Sequence, residues 1–332
     1  MKTIVRLFAL LMIAVSFASC NDDWKDEQFS QMVSFKTSPT SLGITDIYVR
    51  YKPGGQVEYD LPVIVSGSTA NSKDLHVSFA IDTDTLNVLN VDKYGTRSDL
   101  YFVQLPEKYY SFPTEIDIPK GTSETVLPIT FNFDGIDLAE KYVLPITIVE
   151  SEGNNYQANP HKYYRKALLH IIPFNDYSGV YSGTNLIGSL EDEAHNSLTQ
   201  SNYRAYVVND TTVFFYAGLR DEDFVDRRNY KVYLQFTKDK YRMKEYYCKM
   251  YSDNPLIKFT LNGQPKYKVE EEMDPTKTYL KHTYITITDI DYEFTDYTTI
   301  PNYELRYHMT GSLALQRDLN TLIPDQDQGI QW

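Results

Sequence analysis

The sequence predicts an all-β protein of two domains. Three observations carry that prediction. Apolar and polar residues alternate with period two along most of the chain, and no window of helical length holds a 3.6-residue apolar stripe. Tyr and Phe are abundant, 29 and 16 against only 2 Trp, and aromatic side chains with a polar tip favour half-wet strands. Turn clusters such as Lys52-Pro53-Gly54-Gly55 and Asn209-Asp210 punctuate the alternating runs.

The chain opens on Lys2 and Arg6, an apolar run from Leu7 to Phe17, and the small residues Ala18 and Ser19 before Cys20. That order is the layout of a secretory signal. The run is shorter than the roughly 20 residues a membrane-spanning helix needs, so residues 1–19 read as a removable segment. Phe17-Ala18-Ser19-Cys20 resembles the lipobox of bacterial lipoproteins, in which the cysteine is acylated and becomes the new N-terminus. Phe stands where Leu is commonest in that motif, and an ordinary signal-peptidase site with a chance cysteine is the alternative. On the lipobox reading Cys20 is the lipid attachment point, and more than one acyl chain is what gives firm anchoring. Asp22, Asp23, Asp26 and Glu27 make residues 20–30 an acidic, solvated tether. The same acids resemble the export signal that sends Bacteroidota lipoproteins to the outer face of the outer membrane.

Strands are predicted at Ile44 to Tyr51, Leu75 to Ile81, Glu124 to Phe133, Tyr203 to Val208, Tyr230 to Phe236, His282 to Thr288 and Tyr303 to Met309. Short helical pieces are expected near Gly135 to Lys141 and Leu190 to Asn196. The phrases DLPVIV, VLPITF and VLPITI place Pro62, Pro128 and Pro145 inside strands of the first half. Proline has no amide hydrogen, so these suggest a sandwich with prolines on its edges. After Pro173, the stretch Asn175-Asp176 breaks the pattern and Gly179-Val180-Tyr181 opens a new strand. The sandwich is therefore assigned to residues 31–174, a second β domain to 175–318 and a C-terminal tail to 319–332. Gly179-Val180-Tyr181 is similar to the Gly-x-aromatic start of lipocalin-like barrels, where the aromatic plugs one end. With the strands that follow, it favours an antiparallel barrel over a second sandwich.

With 32 basic and 45 acidic side chains the net charge is −13, which disfavours nucleic acid and anionic lipid head groups as partners. Beyond Cys20 the only thiol is Cys248, so no internal disulfide is expected. Histidines and cysteines show no ligand spacing, and no metal or other cofactor is expected. Asp82 to Asn87 and Asp325 to Gly329 each pair carboxylates two residues apart, but neither continues to a later Glu, so both read as polar turns. Glycoside hydrolysis needs two carboxylates across the scissile bond. Asp221, Glu222 and Asp223 read as a solvated loop, and Asp289 and Asp291 as neighbours on one strand face. No catalytic residue is assigned, and a non-enzyme is expected.

The lipobox with its acids, LPVIVSG, IPKGTSETVLPITF, KYVLPITI and NDYSGVYSG together resemble one family. It comprises surface lipoproteins of Sus-type glycan-utilisation systems in Bacteroidota, with an Ig-like N-terminal domain of the domain-of-unknown-function 1735 type. The resemblance implies an Ig-like sandwich, a lipocalin-like barrel, an outer-membrane location facing the exterior, and capture of glycan for a neighbouring transporter. Sugar rings stack on aromatic faces ringed by polar side chains. Candidate ligand-binding residues are accordingly Tyr246, Tyr247, Tyr251, Asp289, Asp291, Tyr292, Asp296 and Tyr297. Competing readings are a fimbrillin-like or adhesin subunit and a glycosidase or glycosidase accessory.

Overall fold

The computed structural model describes residues 27–52, 54, 56–191 and 193–323. The signal segment, Cys20 and Asp325 to Gly329 lie outside the described residues. Of the acidic tether, Glu27 is described; it is exposed, and its carboxylate is held by hydrogen bonds. The amides of Ser68 and Thr69 donate to its carboxylate at 2.8 and 3.0 Å, and both hydroxyls join them. The Ser68 and Phe29 amides hold this carboxyl well below the usual range.

The first domain contains β1 (Met32–Phe35), β2 (Thr45–Arg50), β3 (Gln56–Ser66), β4 (Leu75–Ile81) and β5 (Val103–Gln104). It continues with β6 (Tyr110–Ser111), β7 (Glu115–Ile118), β8 (Glu124–Asn132), β9 (Tyr142–Ile148) and β10 (Lys166–Phe174). One sheet runs β1-β3-β8-β6; the other runs β2-β10-β9-β4-β7, with β5 beside β9. Between them lie Val63, Val77, Leu127, Ile129, Leu144, Ile146 and Leu169, all buried.

The prolines sit in inner strands, not on edge strands as expected, yet none breaks a ladder. Lys36 donates to the Pro62 carbonyl just past the end of β1, whose register stops at Val63. Backbone N and C=O of one strand residue point the same way, so the missing Pro62 amide faces that gap. Pro128 lies two residues along β8 from Val126, the partner of Pro62, and beyond the end of β6. Pro145 falls between the stretches of β9 that pair with β5 and β4. Each proline occupies a position where a neighbouring strand has stopped.

The described residues of 135–141 and 190–196 hold no helix. A single helical turn lies at Lys162–Arg165, and the longest helix among the described residues is α1 (Thr83–Tyr94), on the stretch read as a polar turn. Asp82 caps it, accepting from the Thr85 amide at 3.1 Å, and Gly95 closes it at φ 59°. Leu86 and Leu89 pack on Phe102, Val143 and Leu168, while Asn90 hydrogen-bonds both backbone groups of Phe102 at 2.8 Å.

The second domain contains β11 (Gly179–Ser182), β12 (Leu186–Leu190), β13 (Glu193–Thr199), β14 (Asn202–Val207), β15 (Thr212–Tyr216) and β16 (Lys231–Arg242). Then come β17 (Glu245–Tyr251), β18 (Thr260–Leu261), β19 (Lys266–Met273), β20 (Leu280–Ile300) and β21 (Tyr303–Asn320). Pairing runs β21-β11-β14-β15-β16-β17-β19-β20 and returns to β21, so eight antiparallel strands close a barrel. The β12–β13 hairpin extends from β21, and β18 from β20. A second sandwich is thereby replaced by closure, which removes the edges of the ring.

The barrel is filled. Tyr181, Tyr203, Phe215, Tyr230, Tyr292 and Phe294 are each at most 2% exposed. At one end Tyr177 stacks on Phe236 with ring centroids 3.9 Å apart, and Tyr267 meets Phe236 edge-on at 4.9 Å. Tyr181 donates from its hydroxyl to the Tyr177 carbonyl at 2.6 Å. Arg317, buried near the end of β21, donates to the carbonyls of Asn175 and Ser178 in the segment joining the domains. At Gly311 an added side-chain carbon would lie 1.8 Å from the Asn185 carbonyl, so only glycine lets β21 pass there.

The outer wall of the barrel packs on the sandwich. Val207, Phe214 and Tyr216 belong to the same apolar cluster as Leu138, Ala139 and Ile171. Lys231 pairs with Asp137 at 2.7 Å, Arg228 with Glu140 at 2.6 Å, and buried Arg227 donates to the Ala139 carbonyl at 3.3 Å.

Arg317→Met retains much of the volume but strands two buried carbonyls, each worth about 1–3 kcal/mol when left unpaired. Chemical denaturation should show a loss of about 2–4 kcal/mol. A change below about 0.5 kcal/mol, the scale of an ordinary surface substitution, would show that the buried guanidinium does not lock the barrel to the linker.

Candidate functional site

The residues singled out from sequence do not converge. Tyr292 is fully buried, 5.3 Å from Phe259 and 6.2 Å from Phe294 by ring centroids, and so cannot stack on a sugar. A bulge explains its position. The register of β20 against β21 shifts between Ile287 and Ile290, with Asp289 in the left-handed region at φ 57°. Before the bulge Ile285 and Ile287 point inward; after it Ile290, Tyr292 and Phe294 do. The extra residue reverses which face each side chain takes.

Asp296 is also internal and fully engaged. It pairs with Arg220 at 2.9 Å and accepts from Tyr230 Oη at 3.0 Å and from the amides of Thr298 and Thr299 at 3.0 and 3.1 Å. Burial pushes its carboxyl up, but the bonds from Thr299 and Arg220 outweigh that and hold it well below the usual range. Tyr297 is half-buried, its ring 5.7 Å from Tyr230 and its hydroxyl accepting from Asn254 Nδ2 at 3.2 Å. Tyr246 packs against Tyr267 with the aromatic plug.

Tyr247 and Asp289 do come together around Lys266, which pairs with Asp289 and lies 4.2 Å from the centroid of the Tyr241 ring. Tyr247 meets that ring at 5.5 Å, and Arg242 lies over it at 5.5 Å. Cations thus lie against the Tyr241 ring, and Tyr247 meets that ring in a T-shaped contact. Asp291 is paired with His308 at 2.8 Å. Tyr251 is exposed and stacks on Tyr233 at 5.1 Å. Cys248 points into the barrel, and burial pushes its thiol up to about 12, which leaves it inert.

A different surface has the character of a binding site. On the outer wall, β11 and β14 contribute Val180, Asn202, Arg204 and Tyr206, and β15 contributes Tyr216. The loop Arg220 to Asp223 forms a lip over them, enclosing about 270 Å³. That is near the lower end of ligand-site volumes, ~300–1,000 Å³, and suits one or two sugar rings. Glu222 accepts from Tyr206 Oη at 3.2 Å and faces Arg204 at 3.6 Å. Burial raises both the Tyr206 and Tyr216 phenols, so both stay protonated. A smaller adjoining pocket shares Arg204, Tyr206, Tyr216 and Glu222 and is lined from the sandwich by Glu140, Lys141, His170 and Ile172. The cleft therefore runs to the domain junction.

The lip is built rather than loose. Arg220, buried, ties its root to Asp226 at 3.0 Å, to Asp296 and to Thr299 at 3.2 Å. The downstream Arg227 fixes it to the sandwich. Sequence reasoning took Asp221 to Asp223 for a solvated loop. The available signal was the outward pair Arg204 and Tyr206 in Asn202–Val207, which alternation places on one face.

Asp296→Asn removes one of the two carboxylates that answer buried Arg220 and leaves Asp226 alone, a loss of about 1–3 kcal/mol at neutral pH. Because the native carboxyl is held below its unfolded value, the pair's contribution is whole above about pH 4 and fades as pH falls further. Denaturation of both proteins across pH should show their difference shrinking in acid. A difference that is constant down to strong acid would contradict this account of the pair.

Residues 24–152 match the family model for a domain of unknown function, DUF4973, and a second model, described as a "-like, C-terminal" domain, matches residues 165–314. No curated protein matches. Among solved structures, a protein of unknown function from Bacteroides ovatus is 49% identical, with 93% of this chain and 98% of that one covered and a TM-score of 0.83. A multidomain protein including DUF1735 from Bacteroides ovatus is 38% identical over 91% of this chain and all of its own, 100%, at 0.81. An auxiliary nutrient binding protein from Bacteroides thetaiotaomicron is 39% identical over 87% of this chain and 96% of its own, at 0.78. The N-terminal match is thus to DUF4973, with the expected DUF1735 named in a relative. The chain belongs to the same family as these Bacteroides proteins, its first half carrying the domain of unknown function DUF4973.

Proposed function

We propose that this protein captures glycan, without cleaving it, in the cleft between the barrel wall and the Arg220–Asp223 lip. The observation that carries the reading is the pairing of a filled barrel with a preformed cleft on its outside, where phenol rings, a guanidinium, amides and carboxylates meet. Tyr216 is buried and Tyr206 stacks on Phe214, so the cleft offers mainly polar groups, the Tyr206 hydroxyl, guanidinium, amides and carboxylates, which suit the hydroxyls of a sugar. The 39% identical auxiliary nutrient binding protein supports the same reading.

The placement of the lip's acids supports binding without hydrolysis. Asp221, Glu222 and Asp223 all lie on one lip, and the facing wall offers Asn202 and Arg204. Glycosidases place carboxylates on both sides of the scissile bond. In the cell, Cys20 would carry acyl chains, the sandwich would hold the barrel away from the outer-membrane surface, and captured glycan would pass to a transporter.

Residues 21–332 should bind members of a panel of polysaccharides and N-glycans in affinity electrophoresis and calorimetry, with no release of reducing sugar. Arg204→Ala combined with Glu222→Gln should weaken a hit at least about tenfold, as loss of a hydrogen-bonded charged group does, with the melting temperature little changed. Binding indifferent to both changes would remove the cleft from the account. For the anchor, Cys20→Ala should move the protein from the membrane to the soluble fraction and abolish labelling by palmitate; a variant still membrane-bound and labelled would exclude Cys20.

A further inference from the structure

The hydrogen-bonding character of the cleft is lopsided. Its cations are already committed: Arg220 to Asp226, Asp296 and Thr299, and Arg204 to Glu222. Its remaining capacity lies mostly in acceptors. Asp221 and Asp223 stand exposed on the lip, their loop shaped by the Asp223 amide donating to Asp221 Oδ1 at 2.9 Å. At the other end Gln200 donates from Nε2 to the Asn202 carbonyl at 2.7 Å, while its Oε1 is buried and has no hydrogen-bond partner among the described residues.

Such a site asks its ligand for O–H donors and repels negative charge. A hexose offers several hydroxyl donors to carboxylates and amide oxygens. A uronate, sialate or sulfate ester would bring an anion against Asp221 and Asp223 at the lip, where both guanidiniums already have carboxylate partners and Lys141, bonded to Tyr94 Oη, lies away at the junction end; like charges brought together at an interface are strongly unfavourable. The overall charge of −13 acts in the same direction at long range.

We infer that the cleft selects neutral, hydroxyl-rich glycans and rejects acidic ones, with Asp221 and Asp223 as the discriminating residues. This rests on the reading of the cleft as a glycan site. The test uses one neutral polysaccharide that binds, before and after chemical oxidation of its C6 hydroxymethyl groups to carboxylates. Calorimetry should give an affinity at least about tenfold lower for the oxidised polymer, with the gap widening at low salt. Asp221→Asn with Asp223→Asn, both on the exposed lip, should narrow the ratio of the two affinities, whatever the change costs the neutral ligand itself. Equal or tighter binding of the oxidised polymer, lost in Arg204→Ala, would overturn the selectivity and leave the cleft as a glycan site. A gap unchanged in the double variant would assign discrimination elsewhere and overturn the role of these two residues. Absence of binding to any neutral or acidic glycan would overturn the glycan reading itself, and the selectivity with it.

Discussion

The structure depends on closure of the barrel by the long pair β20 and β21, and on what closure leaves inside. A ring of eight strands encloses a space that is either filled by side chains or left for a ligand. Here it is filled by rings, each buried aromatic side chain contributing about 1.5–3 kcal/mol through burial. Buried charge is admitted where it is answered. Arg317 bonds the linker carbonyls, and Arg220 meets Asp296. The interior is thereby closed, and the proposed recognition falls to the outer wall.

That wall is shaped by the second domain-scale contact. Because Phe214 and Tyr216 are shared with the core of the sandwich, the two domains meet through apolar packing as well as ion pairs. Large apolar junctions resist relative motion more than polar ones. The cleft beside them is accordingly built before any ligand arrives, which lowers the ordering cost of binding. The lip draws on both domains, through Arg220 in the barrel and Arg227 against Ala139.

Much of the architecture was legible in the sequence. Leu75–Ile81 and Glu124–Asn132 show clean alternation and form strands where alternation placed them. The Gly179-Val180-Tyr181 opening marks the first barrel strand, with Tyr181 buried at the plug. The helix escaped notice because its buried face is Thr85, Leu86, Leu89 and Asn90, half of it polar, although Asp82 and Gly95 mark its two ends. The site was hidden for a different reason. Alternation assigns a face only while register is unbroken, and one extra residue near Asp289 turns Tyr292 from a surface candidate into core. Nor can a one-dimensional pattern reveal that Asp221 to Asp223 fold over Arg204, since that contact depends on where Arg220 finds Asp296.

The central claim is that ligand is read on the outer wall at the junction while the barrel interior stays closed. Amide hydrogen exchange with and without a bound oligosaccharide tests it most directly. The account predicts slowed exchange confined to the segments around Val180, Asn202–Tyr206 and Arg220–Asp223, with the strands bearing Tyr267 and Tyr292 unchanged. Protection centred on those interior-facing strands, or on the face carrying Tyr241 and Tyr247, would contradict it.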